Sequence, residues 1–251
     1  MFDKSHWGCK GFTCIILPSR LNKIGDYAFS GCSDLTTITI PQTVMTIGDS
    51  AFSGCLNIQS IYYNAYFADN IQSSSPFGDI GSNSKNVIVY IGNTVRKIPN
   101  FLFESYMSES YIKDIIFEEN SICESIGRYA FEHCSALTSL VIPQSVEKIS
   151  EGAFHGCLNL NSVTILNSNI TIEESVFAGN SKLLQVIIDN EAIANSLISN
   201  DVFGSLILYA EKIYIRQELT TQESTYLVAN YDNQIISDKI GYNLWTKKAG
   251  E

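Results

Sequence analysis

Eight phenylalanines, Phe29, Phe52, Phe77, Phe103, Phe131, Phe154, Phe177 and Phe203, recur at intervals of 23, 25, 26, 28, 23, 23 and 26 residues. Other residues keep step with them. Pro18, Pro41 and Pro143 lie 11 residues before their phenylalanines, and Ile24, Ile47, Ile126, Ile149 and Ile172 lie five before. Cys32, Cys55, Cys134 and Cys157 lie three after. Self-similarity at this period marks a solenoid, in which a unit too small to bury its own apolar face must stack on its neighbours. The inside of such a coil is fixed by the repeat, and the outside is free to carry function.

Within a unit, two patterns alternate. In "LTTITIP", Leu35, Ile38 and Ile40 face inward and Thr37 and Thr39 face outward, which is the period of a strand. Proline then ends the ladder because it has no N–H to donate. The following "VMTIGDSAFSGC" carries Val44, Ile47, Ala51, Phe52 and Cys55 at spacings that suit a short helical turn. Register places strands near Thr13–Leu17, Thr36–Ile40, Gln59–Tyr63, Val87–Ile91, Lys113–Phe117, Thr138–Ile142, Asn161–Ile165, Leu184–Ile188 and Lys212–Ile215. The expected fold is an α/β-type solenoid with a parallel sheet of about nine strands and short helical or irregular arms. Residues 1–215 form the solenoid, with longer, irregular repeats over 64–120 that include the polar loop "ADNIQSSSPFGDIGSNSKN". Residues 216–251 are expected to be a C-terminal cap and tail. Thr220 and Glu223 can form a capping box that opens a helix through Tyr226, Leu227 and Ala229. Trp245 is placed against the last coil, and "TKKAGE" frays. At the other end, Gly8-Cys9 falls 23 residues before Gly31-Cys32, so the chain opens in mid-unit. Either it is part of something longer, or Trp7 and Phe12 build a degenerate cap.

A hydrophobic content of 45% with 17% charged residues is that of a folded chain. A net charge of -10 makes nucleic acid a poor partner. The longest apolar runs, "CIIL" and "VIVYI", are too short to span a membrane, and the N-terminus has no secretory pattern.

The phrase Ile-Pro-x-x-Val-x-x-Ile-Gly-x-x-Ala-Phe-x-x-Cys-x-x-Leu resembles the BspA-like (Treponema pallidum-type) leucine-rich repeat. It reads "IPQTVMTIGDSAFSGCLNI" at Ile40–Ile58, "SIGRYAFEHCSAL" at Ser125–Leu137 and "IPQSVEKISEGAFHGCLNL" at Ile142–Leu160. The likeness runs from about residue 12 to 190 and then fades. In "ITIEESVFAGNSKL", Val176 stands for the alanine and Asn180 for the cysteine. The resemblance implies a right-handed leucine-rich repeat superhelix with a concave parallel sheet and its arms on the convex side. It also implies a cell-surface or extracellular location and a role in binding host or extracellular matrix proteins.

Signatures of chemistry are sparse. Cys9, Cys32, Cys55, Cys134 and Cys157 share one column, where a small buried side chain is the expectation. Cys14 and Cys123 fall outside it. There is no C-x-x-C pair to hold structural zinc, and His6 with Cys9 makes only half a site. His133 and His155 sit beside column cysteines on the exposed arm. A Cys–His nucleophile needs the two side chains in contact, whereas the repeat turns them apart. Neither a nucleophile elbow, a metalloprotease helix nor a nucleotide-binding loop occurs. Glu118–Glu119 and Glu173–Glu174 read as solvated turn residues or weak cation ligands. No catalytic residue, metal site or cofactor is expected.

Function is therefore sought on the sheet. The outward position at the centre of each strand reads Ile16, Thr39, Tyr62, Tyr90, Ile116, Val141, Thr164, Ile187 and Tyr214. Apolar or aromatic residues in such a run mark a partner site, with tyrosine as the usual anchor. The competing explanation is that β-branched and aromatic residues simply favour strands. The binding strip so defined is Tyr62, Tyr90, Ile116, Val141, Ile187 and Tyr214. The expected function is a non-enzymatic module for adhesion or protein–protein interaction, with a protein or glycan ligand on the concave face. The alternatives are a spacer or stalk carrying another domain, and an enzyme with its residues in the irregular Tyr66–Asn120 stretch.

Overall fold

The computed structural model describes Cys9, residues 11–66, 68, 74–105, 110–167 and 169–183, and four further strands at 185–188, 212–215, 231–235 and 243–247. Phe203, the Thr220/Glu223 capping box, His6 and Trp7 lie outside the described residues.

The described part is a stack of coils. One face is built by β1 (Cys14–Ile15), β3 (Thr37–Ile40), β5 (Ser60–Tyr63), β6 (Val87–Ile91) and β8 (Ile112–Phe117), followed by β10 (Ser139–Ile142), β12 (Ser162–Ile165), β14 (Gln185–Ile188) and β15 (Lys212–Ile215). A second face carries two-residue strands, β2 (Lys23–Ile24), β4 (Thr46–Ile47), β7 (Lys97–Ile98), β9 (Ser125–Ile126), β11 (Lys148–Ile149) and β13 (Thr171–Ile172). The first face is not one uninterrupted ladder. Its strands pair in the orders β1-β3-β5-β6-β8 and β10-β12-β14-β15, with no pairing between β8 and β10. The second face pairs as β2-β4 and β7-β9-β11-β13. At the gap between β8 and β10 the second face is continuous, with β7, β9 and β11 paired in unbroken order.

The sequence pattern explains the coil. In one full unit Leu35, Ile38, Ile40, Val44, Phe52, Cys55 and Ile58 are all fully buried. Proline turns the chain out of the strand: the carbonyls of Pro18, Pro41 and Pro143 accept the N–H of Leu21, Val44 and Val146 at 2.9, 3.1 and 3.1 Å. Seven of the recurrent phenylalanines form a single stack. From Phe29 through Phe52, Phe77, Phe103, Phe131 and Phe154 to Phe177, the centroid separations are 5.2, 4.8, 4.9, 5.3, 5.3 and 5.6 Å. Near-parallel rings at this spacing are offset-stacked. Phe77, on the longest loop, is a rung like the others.

The arms differ from the expected helical turns. No described residue is helical, and the arms are successive turns. Their backbone shows why. Two residues before the ladder phenylalanine the chain is left-handed, at Tyr27, Ser50, Phe101, Tyr129, Gly152 and Ser175, and it is so again two residues after, at Gly31, Gly54, Asp79, His133, Gly156 and Gly179. Only three residues lie between these points, too few for an α-turn. Inside this bracket the N–H groups alternate partners. Tyr27, Phe29 and Gly31 donate to Asp49, Ala51 and Ser53 of the next coil at 3.0, 2.7 and 2.8 Å, while Ala28, Ser30 and Cys32 close local turns. The arm thereby satisfies its backbone without a helix, as a buried backbone must.

Beyond β15 the chain adds β16 (Tyr231–Ile235) and β17 (Asn243–Lys247), with β17 antiparallel to both β15 and β16. Trp245 occupies the position opposite Ile213. Thr246 and Lys247, assigned from the sequence to a frayed tail, belong to this strand.

Candidate functional site

The candidate site is the outward column of the first face. In β3, Ile38 and Ile40 are buried and Thr39 between them is exposed, as alternation requires. Parallel register carries that outward position along the sheet, from Thr39 to Tyr62, Tyr62 to Tyr90 and Tyr90 to Ile116. The last step depends on an irregularity. Val87 pairs with Ile112 but Ile88 pairs with Asp114, so Lys113 is a bulge. Without that extra residue Tyr90 would face Ile115, a core side chain. The bulge keeps Ile115 inside and Ile116 outside.

Tyr62 and Tyr90 are half-buried, and their rings stack with centroids 4.7 Å apart and planes 7° from parallel. Ile116 is 42% exposed and Val141 is 51% exposed. In the second run of strands, Val141 pairs with Thr164, Thr164 with Ile187 and Ile187 with Tyr214. Ile187 and Tyr214 are thus neighbours in strand position, and Thr164 separates Val141 from them. Of the six residues read from the sequence, Tyr62, Tyr90 and Ile116 form one contiguous run, and the unpaired gap between β8 and β10 separates them from Val141. Toward β1 the column reaches Ile16, which is 91% exposed beside a shallow depression between Cys14, Thr37 and Thr39.

These residues carry no charge. They offer two aromatic faces with hydroxyls and a margin of branched aliphatics, a surface matched to apolar and aromatic side chains of a partner. The described ion pairs join successive coils elsewhere: Arg96 with Glu124, Arg128 with Glu151, and Lys148 with Glu173; His155 Nδ1 and Glu132 Oε1 are in hydrogen-bond contact at 3.0 Å. The Lys148 ammonium holds Glu173 below the usual carboxylate range. Glu118 accepts the N–H of Asn93 at 3.2 Å, so both acidic doublets noted in the sequence have a member engaged by the protein itself.

The buried cysteines are chemically quiet. Cys55, Cys134 and Cys157 donate their thiols to the carbonyls of Phe29, Phe103 and Phe131, each a ladder phenylalanine of the preceding coil, at 3.2, 3.8 and 3.4 Å. Burial pushes the thiols of Cys55, Cys123 and Cys134 up to about 12, and that of Cys157 well above the ordinary value. A thiol held protonated in this way is no nucleophile. Asn180 takes the column position after Phe177 and is likewise buried.

One grouping escapes a reading of motifs. Glu132, His133 and His155 converge on the arm. Two of them belong to one unit and the third to the next, so no local pattern contains all three. The signal that finds them is the column: Glu132 and His155 each follow a ladder phenylalanine by one residue.

A family model described as a BspA-type leucine-rich repeat region matches the chain in six copies, over residues 2–120 and 96–230. No curated protein matches. Among solved structures the chain is similar to a leucine-rich repeat protein from Bacteroides ovatus, at 20% identity and a TM-score of 0.47, over 68% of this chain and 48% of that one. It is similar to the T. pallidum leucine-rich repeat protein at 24% identity and a TM-score of 0.45, over 68% of this chain and 66% of that one. A leucine-rich cell surface protein from Faecalibacterium prausnitzii follows at 22% identity and a TM-score of 0.43, over 69% and 53%. The chain spans from about half to two thirds of the length of these structures.

Proposed function

Because the chain belongs to the BspA-type leucine-rich repeat family, we propose that it is a non-enzymatic binding module that docks a protein ligand on the outward column of its first face. The contacts are Tyr62, Tyr90, Ile116, Val141, Ile187 and Tyr214. The observation that carries this reading is the Tyr62–Tyr90 stack. Two large rings already fixed against each other on a sheet lose little freedom when a partner covers them, which is the economy of a preorganised interface. Tyrosine is also among the residues that dominate interface energetics. A place at the cell surface and a ligand from a host or its extracellular matrix are part of this proposal. They follow the family expectation, as does the role in adhesion.

The test is capture of extracellular host proteins by the immobilised chain, compared with a Tyr62→Ser/Tyr90→Ser double variant. Loss of an anchor pair weakens binding by about thirty-fold or more, while the variant, altered only on the outward side, keeps its cooperative melt. Equal capture by both proteins contradicts the strip, and a glycan array with the same pair of proteins separates a glycan ligand from a protein one.

A further inference from the structure

We propose that Glu132, His133 and His155 form a binding site for a divalent transition-metal ion of the zinc class on the arm of the coil. This site is independent of the tyrosine strip. Glu132 and His155 occupy the same position in consecutive units and are stacked, with Glu132 Oε1 3.0 Å from His155 Nδ1. His133 follows Glu132, and its ring meets that of His155 edge to face at 5.5 Å between centroids. One ligand atom from each of the three lies within 4.8 Å of the others, the only such grouping of three or more among the described residues. Bonds of about 2.0–2.2 Å to nitrogen and oxygen place tetrahedral ligand atoms about 3.3 Å apart. The Glu132–His155 separation is already close to that, and rotation of the exposed His133 ring supplies the remainder.

Two further observations set this cluster apart from a chance surface pair. First, His133 has φ +57° at a position that four other units fill with glycine, Gly31, Gly54, Gly156 and Gly179, and one with Asp79 at φ +55°. A non-glycine residue in the left-handed region is uncommon and carries a local cost. Second, the glycine of the next coil makes room for it: a Cβ on Gly156 would lie 2.4 Å from His133 Cδ2. The two coils are also tied at this point by the His133 N–H, which donates to the His155 carbonyl at 2.8 Å. The backbone bond brings the two residues together and Glu132 fixes the His155 ring, while the exposed His133 ring keeps its freedom to turn.

The donor set selects the ion. Two imidazoles and one carboxylate suit Zn²⁺ and its Co²⁺, Ni²⁺ and Cu²⁺ neighbours, whereas Mg²⁺ and Ca²⁺ take oxygen ligands. Three protein ligands leave a coordination position for water, and the exposure of His133 turns it toward solvent.

The experiment titrates the tag-free, EDTA-stripped chain with ZnCl₂ by calorimetry and with CoCl₂ by visible absorption, in parallel with Glu132→Gln, His133→Gly and His155→Ala. The expected result is one saturable Zn²⁺ per chain that millimolar Mg²⁺ does not displace. Affinity falls at least ten-fold in each variant, and the wild-type melting temperature rises with Zn²⁺. His133→Gly restores the residue that other coils carry at this turn, so in EDTA it melts no lower than the wild type. It therefore separates loss of the ligand from loss of the fold. Absence of saturable binding, or binding in His133→Gly and His155→Ala as tight as in the wild type, overturns the proposal.

Discussion

Phe131 and Phe154 stand 23 residues apart in sequence, yet their rings stack with centroids 5.3 Å apart and planes 2° from parallel. Each is fully buried, and each touches another ring on its far side, Phe103 and Phe177. An interior rung therefore supports two coils at once. Phe131→Ala should cost about 3–5 kcal/mol, the usual loss for a large core aromatic. The Phe131→Ala/Phe154→Ala double variant should lose less than the sum of the singles by about 0.5–1.5 kcal/mol, because the first deletion already removes the shared ring contact. Urea denaturation of the three variants measures both quantities.

The left-handed columns predict opposite effects from exchanges of small residues. Ser175 is exposed with φ +57°, and glycine there relieves a conformation that costs an L side chain about 1–2 kcal/mol, set against a smaller entropic penalty. Ser175→Gly should be neutral or stabilising by up to about 1 kcal/mol. Gly54 has φ +75°, and an added Cβ meets nothing closer than 3.5 Å, so the cost of Gly54→Ala is conformational. It should destabilise by about 1–2 kcal/mol. Thermal melts of the pair give the two signs.

Buried thiols make the fold sensitive to alkali. Folding raises Cys55, Cys123 and Cys134 from the ordinary 9.0 to about 12. Above pH 9 the unfolded chain releases these protons and the folded chain does not, so stability is full below pH 9 and declines toward pH 12. The slope is about 1.4 kcal/mol per pH unit for each thiol. Cys134→Ala should flatten the decline, although it also removes the bond to the Phe103 carbonyl. On the acid side, Glu173 is held down by Lys148, so its contribution is present above the ordinary carboxylate pKa and fades as pH falls through the lowered one. That pair is exposed, and its loss should barely move the melt. Denaturation curves between pH 2 and 11 test both limbs.

The strands of the first face and the phenylalanine stack are legible in the sequence because both obey strict columns, whereas the short strands of the second face fall where helical turns are expected. The outward alternation of Thr39, Tyr62 and Tyr90 can be read the same way, and with it a tyrosine stack whose members are 28 residues apart. The arms are less legible. Their left-handed points are held by Tyr27, Ser50, Phe101 and Tyr129 as well as by glycine, so composition gives no warning and apolar spacing suggests a helix. At Tyr27, Phe101 and Tyr129 the neighbouring coil accepts the N–H of the left-handed residue itself, a tertiary effect that local preference does not contain. The split of the first face between β8 and β10 has no sequence mark either, since Ile112–Phe117 reads as a strand like its neighbours. The Glu132–His155 contact is visible only when adjacent units are read against each other, one residue past each phenylalanine.

The most direct test of a single continuous coil is amide hydrogen exchange on Phe77→Ala, whose side chain stacks on Phe52 in one direction and on Phe103 in the other. A shared interior predicts that protection falls on both sides of the missing rung, in β3 and β5 and equally in β6 and β8. Loss confined to residues 74–86, or to one side alone, would show that the long middle units divide the chain into separate bodies, and the account would be wrong.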